Sequence, residues 1–232
     1  MAGRRTPWAV VVAAVVAALV AGGALITANQ VRDRPAAASA TSAPPTSSVG
    51  PDGCLVRPCT VLGTVAVAGT TVQLVADKGA RSGRLRIGGP GSGDVIDATV
   101  TDLGVTLTAG SLQCVASTLS ACLIRARYHG GTAGQVVVGR SGKWSSLAKP
   151  FVSDAGYLVL AQVTADVGPE VIAVQHDCDR ATVPDCTSRP VFAQVFTMNG
   201  KEAGCTQDYQ TLESLPGYPE VRLDPDELSD CG

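Results

Sequence analysis

ACLIRARY, residues 121–128, alternates from end to end. Cys122, Ile124, Ala126 and Tyr128 fall on one side of an extended chain and Arg125 and Arg127 on the other, because successive side chains of a strand point to opposite faces. GRLRIG (83–88) repeats the pattern, with Leu85 and Ile87 set against Arg84 and Arg86. Both stretches read as half-buried strands, with Cys122 turned inward and the four arginines outward. If these strands are neighbours, Arg84, Arg86, Arg125 and Arg127 make a basic stripe able to bind an anionic ligand.

The same short, β-branched phrasing recurs on either side. TVLGTVAV (60–67), TVQLVA (71–76), DVIDATV (94–100), GVTLTA (104–109), GQVVVG (134–139), YLVLAQVT (157–164), EVIAVQH (170–176) and PVFAQVFTM (190–198) bring the number of predicted strands to ten. Turn chemistry separates them: Ala68-Gly69, Gly79, Gly88-Gly89-Pro90, Gly130-Gly131 and Asn199-Gly200. Beyond the N-terminal apolar run no stretch keeps a helical period for long. The expected fold class is therefore all-β, built as a sandwich, a small barrel or a propeller-like array. YLVLAQVTADVGPEVIAVQ (157–175) resembles the strand, Asp and Gly turn, strand phrasing of integrin-type propeller repeats over about 19 residues. Those repeats carry an Asp-rich calcium loop. Asp166, Gly168 and Glu170 are too few oxygens to make one, so neither calcium nor the family is carried over.

Ahead of the strands the chain changes character. From Trp8 to Ala28 there is no charged residue. Twenty-one residues rising about 1.5 Å each give roughly 31 Å of helix, the thickness of a hydrocarbon core. Arg4 and Arg5 precede the run, Trp8 suits the headgroup level, and Arg32, Asp33 and Arg34 follow it. The expectation is a cytoplasmic stub at 1–7, a transmembrane signal-anchor helix at 8–28, and a single-pass protein of the cell membrane whose C-terminal part is extracytoplasmic. A cleaved signal peptide, which would release a soluble secreted protein, is the competing reading. Residues 29–53, rich in Ala, Ser, Thr and Pro, cannot form a core and read as a tether. Residues 54–232 then form the β-rich extracytoplasmic domain.

All eight cysteines, Cys54, Cys59, Cys114, Cys122, Cys178, Cys186, Cys205 and Cys231, lie in that domain. An even number confined to the exported side is the pattern of structural disulfides in an oxidising compartment. Nearest neighbours in sequence suggest 54 with 59, 114 with 122, 178 with 186 and 205 with 231. Loops this short each remove roughly 2–3 kcal/mol of unfolded-state entropy, so they staple hairpins and loops while the apolar core holds the fold.

Charge is unevenly spread. Residues 54–150 carry ten Lys or Arg against four Asp or Glu, whereas 151–232 carry four against fourteen. The basic half suits anionic lipid headgroups or an anionic wall polymer and the acidic half a protein or a cation. An exported domain with a net negative charge is a poor partner for nucleic acid.

Catalytic and metal motifs are missing. GRSGK (139–143) and GPGSGD (89–94) do not keep the G-x-S-x-G spacing of a serine hydrolase. His176, Asp177, Cys178, Asp179 and Cys186 crowd together, but no C-x-x-C or H-E-x-x-H couple accompanies them, and disulfide formation consumes the thiolates. CLVRPC (54–59) has four residues between its cysteines, unlike a thiol oxidoreductase. Asp94 with Asp97, and Asp224 with Asp226, Glu227 and Asp230, are carboxylate pairs of the kind a glycosidase needs, provided a cleft collects them. The expected function is a non-catalytic interaction or structural module of the bacterial cell envelope, without catalytic residue, metal or cofactor. Its partners are the bilayer and an envelope protein or an anionic wall polymer. The alternative is an envelope hydrolase acting through Asp/Glu pairs.

Overall fold

The computed structural model describes residues 54–89, 93–178 and 186–231. The predicted stub, anchor helix and tether lie outside the described residues. The described residues are all-β, with thirteen strands in three antiparallel sheets. Sheet 1 is a meander of β1 (Thr60–Val67), β2 (Thr70–Ala76), β3 (Gly83–Ile87) and β4 (Asp94–Asp97). Sheet 2 runs β5 (Leu112–Val115), β6 (Ser120–Tyr128), β7 (Gly131–Arg140) and β8 (Lys143–Ser146), with β9 (Phe151–Ser153) also pairing with β7. Sheet 3 is β10 (Leu158–Ala161), β11 (Glu170–His176), β12 (Val191–Phe196) and β13 (Glu202–Cys205). Three hairpins close through two-residue turns with positive φ at both positions, Ala68-Gly69, His129-Gly130 and Ser141-Gly142, the mirror-image turn whose twist matches that of paired strands. Ser141 is thus a turn residue.

Sheet 2 lies between the other two. Cys122, Ile124, Ala126, Ala133 and Val137 pack with Val72, Leu74, Leu85 and Ile87 of sheet 1. Ala121, Leu123, Val136 and Val138 pack with Leu158, Leu160, Val171 and Ala173 of sheet 3. A strand covered on both faces has no place for an alternating pattern, and nine of the ten residues of β7 are buried. The outer face of sheet 3, with Ile172, Val174, Ala193 and Val195, is closed by Leu215 and Val221 of the C-terminal segment. That segment is tied back by bridges of Val191 to Tyr209 and of Cys205 to Ser229.

Several expectations are corrected. GVTLTA (104–109) is not a strand, although Val105 and Leu107 are buried in the core beneath sheet 1. Thr108 and Ser111 form a capping box over a single 3₁₀ turn there. DVIDATV stops pairing at Asp97 and turns into a 3₁₀ segment, Thr99–Leu103. The four arginines do not form one outward stripe, because Arg84 and Arg86 belong to sheet 1 and Arg125 and Arg127 to sheet 2. Arg84 is buried, 1% exposed. Alternation sorted the two faces correctly; it carries no information on whether the second face meets water or another layer.

The cysteines pair as their spacing suggests. Cys114 and Cys122 are directly opposed on β5 and β6, with Cα atoms 4.0 Å apart, the close approach typical of a non-hydrogen-bonded antiparallel pair.

Candidate functional site

The strongest candidate site begins at the unpaired edge of β10. One edge of this strand pairs with β11. Along the other, side chains from sheet 2 take the place of a neighbouring strand. The Gln113 amide donates to the Leu160 carbonyl at 3.0 Å and accepts from the Leu160 N–H at 3.1 Å. Nη1 of Arg125 donates to the Leu158 carbonyl. An exposed edge is a template for unwanted strand pairing; here two side chains occupy its polar groups.

Arg125 and Arg127 share the face of β6 that carries Leu123, and both reach a cavity of about 740 Å³ bounded by residues 104–111, the end of β6 and the start of β10. Thr106, Thr108 and Thr132 add hydroxyl groups to its wall and Tyr157 an aromatic one. Thr132 is oriented by donating to the Gly156 carbonyl at 2.9 Å. Arg125 is half-buried and Arg127 exposed. Burial pulls the Arg125 pKa below its ordinary value, and Tyr157 opposes that shift. A guanidinium already held by a backbone carbonyl is a pre-positioned anion donor, since its planar fork still offers further N–H groups.

Tyr157 also joins this cavity to a second one of about 540 Å³, lined by Gln113, Gln162 and residues 219–223. Its hydroxyl donates to the Pro219 carbonyl at 2.9 Å and accepts from the Val221 N–H at 3.0 Å. The 219–221 strap is thereby pinned to the start of β10. Sequence reasoning missed Gln113, Tyr157 and this strap, for nothing local marks a side chain that caps a distant strand.

Chemistry-bearing residues elsewhere are dispersed. The larger cavity is lined by no Asp, Glu, His or Cys, and the smaller by one carboxylate, Glu220. Asp94 and Asp97, three apart on β4, point to opposite faces. Asp224 accepts from the Asp226 N–H at 3.0 Å and caps a 3₁₀ turn. His176 lies beside Asp154, Nδ1 to Oδ1 3.2 Å, and Cys178 is bonded to Cys186; Asp179 lies outside the described residues.

One further cluster was not legible in sequence. The sulfurs of Cys54 and Cys59 gather around Asp77, but those cysteines are bonded to each other and the carboxylate is fully engaged. Oδ1 accepts from the Leu55 and Val56 N–H groups at 2.9 and 3.2 Å, while Oδ2 accepts from Ser82 at 2.7 Å and from Arg84 at 2.6 Å. Four donors on one carboxylate describe a structural clamp.

The loop that resembles a propeller repeat is organised by an amide. Nε2 of Gln162 donates to the carbonyls of Thr164, Asp166 and Gly168 at 2.9, 3.2 and 3.1 Å. The Glu170 carboxylate is buried and accepts from the Val163 N–H at 2.9 Å and from the Thr164 hydroxyl.

Comparison of the chain with protein-family models, with curated proteins and with solved structures gave no match.

Proposed function

We propose that the chain is a membrane-anchored extracytoplasmic binding module, without catalysis of its own, that holds an anionic envelope polymer in the cavity walled by Arg125 and Arg127. The observation that carries this reading is the paired guanidinium groups on a wall with hydroxyls and an aromatic ring and without a carboxylate. Arg125 supplies a donor fixed by the Leu158 carbonyl and Arg127 an exposed one, the combination suited to repeated phosphate or carboxylate groups along a polymer. The anchor rests on the uncharged run at 8–28, and the compartment on the eight paired cysteines. We read the three sheets as propeller-like blades, since four consecutive strands form the meander of each.

The test is binding of the purified chain to poly(glycerol phosphate) and to polygalacturonate, with neutral dextran as the control. Either polyanion should bind, more weakly as salt rises. Arg125→Gln with Arg127→Gln should weaken binding by roughly tenfold or more, the scale of losing charge-assisted hydrogen bonds. Equal binding of dextran, or a double variant that binds as well as the parent, would remove the reading.

A further inference from the structure

We propose that the Cys54–Cys59 loop is a membrane-docking tip that seats the outer face of sheet 1 on an anionic lipid surface. Leu55 and Val56 are 45% and 53% exposed, and Val61, on β1 just after the loop, is 46% exposed. Most aliphatic side chains of the described domain lie in its three cores. A shallow basin of about 510 Å³, lined by Arg57, Pro58, Val61, Val75 and Arg86, joins the loop to the sheet face.

The tip is suited to leaving water. The N–H groups of Leu55 and Val56 donate to Asp77, and the Val56 carbonyl accepts from the Lys78 N–H at 3.1 Å. Entry into a headgroup layer therefore strands none of these three backbone groups, and such stranding is the main cost of moving a peptide out of water. The disulfide and the Asp77 clamp also fix the loop's shape in advance, so little ordering entropy is lost on docking.

Charge selects the partner. Arg57 in the loop, Lys78, whose N–H is bonded to Val56, and Arg81, next to Ser82 of the Asp77 clamp, are exposed, and Arg86 lies on the sheet face bonded to Gln73. Of the acidic groups on this side, Asp77 is buried against Arg84, and Asp94 and Asp97 stand on the edge strand β4, with Asp97 opposite Arg84. Apolar tip residues ringed by cations are the pattern of an interfacial lipid contact, to which each basic residue near an anionic surface adds. The loop also stands where the chain arriving from the predicted anchor and tether enters the domain. In this respect the inference rests on the anchor reading above.

The full chain is reconstituted in vesicles of phosphatidylcholine, with or without phosphatidylglycerol, containing a phospholipid with a diazirine at headgroup depth. Adducts are mapped by mass spectrometry after illumination. Adducts on 54–61 are expected with phosphatidylglycerol, falling roughly tenfold or more in Leu55→Asp/Val56→Asp. Lys78→Gln/Arg81→Gln, which leaves the apolar tip intact and keeps Arg57 and Arg86, should weaken the dependence on phosphatidylglycerol. Near-ultraviolet circular dichroism verifies that both variants keep the parent fold. Adducts on 8–28 without any on 54–61 would overturn the docking and leave the anchor standing. A chain that neither floats with the vesicles nor labels at 8–28 overturns the anchor, and the docking with it.

Discussion

Gly134 of β7 lies directly beneath Leu158 of β10, and a Cβ built on the glycine would come within 2.6 Å of Leu158 Cδ2 and 2.7 Å of Leu123 Cδ1. The closeness of sheets 2 and 3 depends on the missing methyl. Gly134→Val is expected to destabilise the domain by about 1–3 kcal/mol, the cost of overpacking a filled core. Urea unfolding measures it, and a midpoint equal to the parent's would show that the two sheets are free to separate.

Asp77 should matter most for stability. Asp77→Ala leaves Arg84 buried without its carboxylate and strips the Cys54–Cys59 loop of its bonds from Leu55 and Val56 N–H, so a loss of about 3–5 kcal/mol is expected. The pH dependence follows from the direction of its shift. Burial alone would raise the Asp77 pKa, but the hydrogen bonds from Ser82, Leu55 and Val56 and the charge of Arg84 together hold it below its ordinary 3.8. The stability it confers is therefore fully present above about pH 3.8 and is lost as pH falls through the lower folded value. Acid unfolding of the variant should be less steep than that of the parent.

Gln162 gathers three carbonyls of the 162–170 loop on one amide nitrogen. Gln162→Ala should free three carbonyls and raise amide exchange across 163–169 while β11 and β12 stay protected. Hydrogen exchange followed by mass spectrometry reads both regions at once, and uniform protection would show that the Glu170 carboxylate suffices alone.

Tyr157→Phe removes both hydrogen bonds that pin the 219–221 strap. Exchange at Val221 should rise, and the cavity beside Arg125 should lose one wall. Burial pushes the Tyr157 pKa above its ordinary value, against the Val221 hydrogen bond and the charge of Arg125. The phenol's contribution is complete below about pH 10 and is lost as pH rises through the folded value, so the Phe variant should show a shallower alkaline decline in stability.

Much of the layering was written locally. ACLIRARY named the side of β6 that meets sheet 1, and cysteine spacing anticipated the Cys114–Cys122 staple across β5 and β6. What escaped depends on distant partners. The arginine face of β6 reads as a surface, yet sheet 3 arrives there some thirty residues later in the chain and turns Arg125 into the cover of another strand's edge. LQCV, KWSS, FVS and EAGC are too short or too polar to announce strands, and longer neighbours recruit them. GVTLTA alternates because one face is buried, but no strand pairs with it; periodicity reports burial, and ladder bonds need a second chain segment. The groove was the least legible feature, being assembled from 104–111, β6, β10 and the strap at 219.

No strand is exchanged among the three sheets, which follow one another in chain order. During synthesis from the N-terminus, sheet 1 can close on sheet 2 while β10 has yet to emerge. The nascent domain would then present Leu123 and Val136, a greasy surface in need of a chaperone or of haste, until β10 and β11 arrive. The Cys205–Cys231 bond is the last of the four ligatures, since Cys231 emerges only after all the described strands.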